Sequence, residues 1–180
     1  GSLRQERWCP LRYASYFRIR GRESRTELTF DYSRGVVGYR FRSETFFLGR
    51  VRSGEGEVGI PGSGHVDDPV SALFSFADGL WPREADGQHL TRILRRQRPA
   101  GEGVDDVAPS YPFEWVPFSL RPGTDPATGQ IEAYCDLTRF SSWAREDQQA
   151  RVLFGPRGLP AQMSSSFMLG SSMKARFEFS

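Results

Sequence analysis

The sequence predicts an all-β, mainly antiparallel single domain with one short helix, and three observations carry that reading. The segment from Phe167 to Phe179 alternates strictly, with Phe167, Leu169, Met173, Ala175, Phe177 and Phe179 on one side and Gly170, Ser172, Lys174, Arg176 and Glu178 on the other. That is the period of a half-buried strand, whereas a helix would scatter the same apolar residues around its circumference. Two earlier runs alternate in the same way about a turn, and only DDPVSALFSFADGL changes to helical spacing. With 180 residues, 38% of them hydrophobic, the chain suits one core, spanning residues 1–180. The opening Gly1-Ser2 reads as the scar of a cleaved expression tag.

Each element has its own signal. In residues 11–20, Phe17 and Ile19 oppose Arg18 and Arg20, which reads as a strand. Leu28, Phe30 and Tyr32 alternate with polar residues, Ser33-Arg34-Gly35 supplies a turn, and Val37, Tyr39 and Phe41 alternate again. This is a β-hairpin signature. A run from Glu44 to Arg52 follows, then a Gly-rich stretch closed by Pro61-Gly62-Ser63-Gly64. In the helical segment Asp67 or Asp68 supplies a cap and Pro69 a first turn; Val70, Leu73, Phe74 and Ala77 recur at helical spacing, and Gly79 ends it. Residues 89–98 read as a strand, with a helix as the alternative, and 99–108 as an exposed loop. Phe113 to Leu120, with two prolines close by, reads as an edge strand or extended loop. A turn cluster spans 121–129 and strands are expected at 130–137, 150–154 and 159–165. Residues 139–149 read as a short helix or a loop.

Charge excludes more than it assigns. The 24 basic and 22 acidic residues nearly cancel, to +2. Lys174 is the only lysine, so the positive charge is almost all arginine. A nucleic-acid groove needs arginines on one face. The densest group, Arg92, Arg95, Arg96 and Arg98, divides between the two faces of a strand, so nucleic acid is not an expected partner. There is no run of 18 apolar residues and no signal peptide in the chain.

No constellation reads as a catalytic centre, and no cofactor or metal is expected. Cys9 and Cys135 lie far apart without CxxC spacing, which argues against zinc; a long-loop disulfide and two free thiols both fit. His65 and His89 have no ligand or triad partner at a useful spacing. His65 precedes Asp67-Asp68, a pair better explained as a helix cap than as a proton-transfer site. The serines near the end fall on strand positions outside any GxSxG setting. Phe74, Phe76, Trp81, Trp115 and Phe118 are the candidate ligand-binding residues, because small-ligand sites are mostly apolar; the same side chains could instead fill the core.

The segment DDPVSALFSF, together with VLFGPRGLPAQMSSSFMLGSSMKARFEF at the end, resembles the bacterial exported proteins grouped as the domain of unknown function 3108 family. The likeness covers residues 26–81 and 150–179. It implies a strongly curved antiparallel sheet forming a barrel or half-barrel, in a cell-envelope protein that is periplasmic or outer-membrane-associated. It supplies no catalytic residues; Asp68, Pro69, Ser71 and Leu73 match as cap and anchor of the helix. The expected function is non-enzymatic binding of an apolar or amphipathic ligand, such as a lipid, in a β-barrel-like cavity. The alternative is a structural or assembly module that meets an envelope protein partner through an edge strand or the 99–126 loops.

Overall fold

The computed structural model describes residues 2–4, 7–19, 21–62, 66–80, 89–97, 99–136, 149–155, 158–166 and 172–176. In chain order the elements are β1 (Ser2–Arg4), β2 (Arg7–Cys9), β3 (Arg12–Ile19), β4 (Arg22–Asp31), β5 (Val36–Glu44), β6 (Val51–Gly59), β7 (Val66–Asp67), α1 (Pro69–Ala77), β8 (His89–Arg96), β9 (Phe113–Thr124), β10 (Ile131–Cys135), β11 (Ala150–Phe154), β12 (Pro160–Ser166) and β13 (Ser172–Arg176). The β reading with one short helix holds among the described residues. Strands β3 to β6 form a four-stranded meander, and β7 to β13 form a seven-stranded sheet in simple sequence order, beside a small β1–β2 pair. Neither large sheet closes on itself, so the barrel or half-barrel is not formed by these pairings. One pair is parallel: Val66 and Asp67 of β7 lie beside Arg92 and Ile93 of β8, with α1 as the connection between them.

Alternation along β8 and β9 explains how two layers share one sheet. Ile93, Val116, Phe118 and Leu120 join Ala133, Cys135, Ala150, Val152 and Phe154 in a core capped by Ala72, Leu73 and Phe76 of α1. Leu94 and Phe113 project from the opposite face and join Leu28, Phe30, Val37 and Phe41 of the four-stranded sheet, with Tyr111. Successive side chains on a strand point to opposite faces, so β8 and β9 feed both cores at once.

Three expectations need correction. β9 is an internal strand, not an edge. Its prolines are tolerated because β8 pairs only residues 113–120 and β10 only 121–124, so at Pro117 and Pro122 the side lacking an N–H has no ladder to supply. The strand therefore runs to Thr124, into what looked like a turn, and the turn itself is 125–130 with Gly129 at φ 69°. The buried helix face is Ala72, Leu73, Ser75 and Phe76, rotated from the expected stripe, and it leaves Val70 exposed. Of the final strand, Ser172 to Arg176 pairs with β12, Met163 lying opposite Ala175; Phe167, Leu169, Phe177 and Phe179 lie outside the described residues, as does 139–148.

Candidate binding surface

The five aromatic candidates are not brought together. Phe76 and Phe118 are buried in the core between α1 and the seven-stranded sheet, Phe76 with its ring 5.2 Å from that of Phe154. Phe74 is half-buried and meets Trp8 edge-to-face at 6.3 Å. Trp115 lies on the opposite face of β9, where its indole N–H donates to the Gly59 carbonyl at 2.8 Å. Trp81 lies outside the described residues. An open hollow of about 490 Å³ is lined by Leu11, Thr29, Phe30, Asp31, Tyr32 and Ser33, and by none of the five.

The polar candidates resolve into structural roles. Asp68 caps α1, its Oδ1 accepting from the Val70 and Ser71 N–H groups and its Oδ2 from the Ser71 hydroxyl. Asp67 is buried and accepts from the Thr91 hydroxyl at 2.7 Å. His65 lies outside the described residues, and so does the side chain of His89. Arg95 pairs with Glu114, while Arg96 lies over the Tyr111 ring at 4.7 Å, so the arginines of β8 do divide between faces. Cys9 and Cys135 are not joined by a disulfide, and burial pushes the Cys135 thiol up to about 12, far from nucleophilic. Among the described residues no three His, Cys, Asp or Glu side chains gather at metal-binding range.

On β10 and β11, buried Glu132 accepts from the Tyr134 phenol and from Arg151 Nε, and Arg151 also reaches Asp125 at 2.8 Å. The Glu132 bond holds the Tyr134 phenol above its ordinary value. Both carboxylate oxygens are thus occupied, which neutralises a buried charge rather than leaving a group free for chemistry.

The surface that stands apart is the turn between β5 and β6. The sequence reads as a single run from Glu44 to Arg52, but within it the chain turns at 46–48 and Gly49 takes φ 65°. Phe47 and Leu48 are 67% and 62% exposed, and Val104 of the 99–110 loop is 53% exposed. Their backbone is held from several sides. Arg22 donates through Nε to the Phe46 carbonyl at 3.1 Å and through Nη2 to the Phe47 carbonyl at 2.8 Å. Asp105 Oδ1 accepts from the N–H groups of Phe47 and Leu48 at 3.0 and 2.8 Å. The Gly49 N–H reaches the Thr45 carbonyl, the Arg50 N–H the Thr45 hydroxyl, and the Thr45 N–H the Arg50 carbonyl. A Cβ on Gly49 would run into Arg22 Nη1.

The loop is tied to the same place. Arg52 of β6, paired with Glu102 at 3.3 Å, donates to the carbonyls of Gly103, Val104 and Asp106. The loop expected at 99–108 is therefore ordered and braced. The missed signal was Phe46-Phe47-Leu48 itself: three consecutive apolar residues cannot all face inward on a strand, and the glycine after them marks a turn.

No family model, curated protein or solved structure matches the chain.

Proposed function

We propose that the protein is a non-enzymatic binding module of the bacterial cell envelope, and that it engages an amphipathic partner, a lipid surface, through Phe47, Leu48 and Val104 at its tip. The envelope setting, periplasmic or outer-membrane-associated, comes from the family resemblance. The ligand class expected from the sequence is retained, but its place moves from an enclosed cavity to an exposed tip.

One observation carries this reading: in the exposed apolar turn the Phe46 and Phe47 carbonyls and the Phe47, Leu48 and Gly49 N–H groups are already hydrogen-bonded inside the protein. Moving an unpaired peptide group out of water costs several kcal/mol. Arg22, Asp105 and Thr45 remove that penalty for those groups, which lowers the cost of burying Phe47 and Leu48 against acyl chains. An apolar patch on a braced turn is also what a contact surface requires.

The test is flotation of the purified chain with vesicles of phosphatidylethanolamine and phosphatidylglycerol. Two side chains at about 1.5–3 kcal/mol each set the expected loss for Phe47→Ser with Leu48→Ser at a hundredfold or more, with the circular dichroism spectrum unchanged. Flotation equal to that of the parent chain would remove the tip from the contact.

A further inference from the structure

We infer that the open edge of β3 accepts an added strand from an extended, acidic polypeptide segment. This is independent of the tip. β3 is the outermost strand of the four-stranded sheet, paired with β4 at every position from Arg12 to Ile19 without a register shift. Among the described residues no backbone hydrogen bond leaves its outer side. Its eight residues, RYASYFRI, contain neither proline nor glycine.

The contrast with the opposite edge is informative. Along β6 the Gly59 carbonyl accepts from Trp115, and Arg52 draws the 99–110 loop against the strand. The other sheet ends in the two-residue β7 and the five-residue β13. β3 is thus the long uncovered edge among the described strands. A row of unpaired N–H and C=O groups at strand spacing is matched by one kind of ligand, another extended backbone.

The side chains specify its chemistry. Arg12, Tyr16 and Arg18 lie on one face of β3, with Tyr13, Ser15 and Phe17 on the other. Tyr16 and Phe17 are exposed. Among the described residues Arg12 has no ion pair, and Arg18 reaches Glu23 at 3.9 Å. Cross-strand neighbours of opposite charge favour pairing and like charges oppose it. An incoming strand with carboxylates facing Arg12 and Arg18 and apolar residues facing Tyr13 and Phe17 satisfies both faces. A second copy of the chain in the register that centres on Ser15 would set Arg12 against Arg18, which disfavours self-pairing there.

The probe is a fluorescein-labelled nine-residue peptide of alternating valine and glutamate, titrated against the full chain by fluorescence anisotropy. Saturable binding is expected, with new amide-exchange protection confined to Arg12–Ile19. Replacing glutamate by lysine, or N-methylating alternate peptide amides, should weaken binding at least tenfold. Arg12→Glu with Arg18→Glu should reverse the preference toward the lysine peptide, while Phe47→Ser with Leu48→Ser should leave peptide binding unchanged. Absence of binding, equal binding of the N-methylated peptide, or protection appearing on β6 instead would each overturn the inference.

Discussion

Asp105 shows how a single side chain sets the character of the tip. Its carboxyl is held below the ordinary value of 3.8, first by the Leu48 N–H and further by Thr45 and the Phe47 N–H, against partial desolvation. A depressed value in the folded chain means that folding favours the ionised form. Its contribution is complete above 3.8 and disappears as pH falls through the lower folded-state value. Exchange protection factors of the Phe47 and Leu48 amides should therefore fall on acidification through that window while those of β4 and β5 hold. In Asp105→Asn the acid-dependent step should vanish. Constant protection of the parent chain across the window would refute the role given to Asp105. Gly49 is the other decisive residue here, since any side chain would combine a φ of 65° with a clash against Arg22.

At the scale of the element, α1 was readable because its signals are local. Asp68 at the cap, Pro69 in the first turn and Gly79 after the end all act through their immediate neighbours. The end is a Schellman closure, with Gly79 N–H to the Phe76 carbonyl and Leu80 N–H to the Ser75 carbonyl. Asp68→Ala should cost about 1 kcal/mol in denaturant unfolding. Ser75→Ala should cost nothing or stabilise by up to about 1 kcal/mol, because the Ser75 hydroxyl is buried without a partner among the described residues. A clear loss for Ser75→Ala would contradict that assignment.

What could not be read was the direction of the buried helix face, which depends on the sheet beneath it. The handover along β9 from β8 to β10 was equally hidden, since prolines in isolation suggest an edge. The hairpin β4–β5 was legible through alternation and its glycine turn. The turn at Phe46 to Leu48 was not, because apolar residues are read as core until the burial around them is known.

At the scale of the molecule, β8 and β9 are the shared wall between two cores, and the stability of the layers should be coupled through them. Ile93 faces the helix side and Leu94 the four-stranded sheet. Ile93→Ala and Leu94→Ala should each cost about 2–5 kcal/mol, and each should lower a single cooperative unfolding transition. Separate transitions for the two sides, one moved by each substitution, would show that the wall does not couple them. The turn at Phe47 and Leu48 is left exposed, while Phe76 and Phe118 are packed in the core beneath α1.

The most direct test of that account places a polarity-sensitive fluorophore at the tip. In Phe47→Cys on a Cys9→Ser background, the remaining native thiol, Cys135, is buried and pushed up to about 12, so labelling is confined to position 47. Addition of phosphatidylethanolamine and phosphatidylglycerol vesicles should shift the emission to the blue, as the probe leaves water, while the same probe placed at Ser33 on the far end of the sheet should not respond. An unchanged spectrum at position 47, or an equal shift at both positions, would contradict binding through the tip.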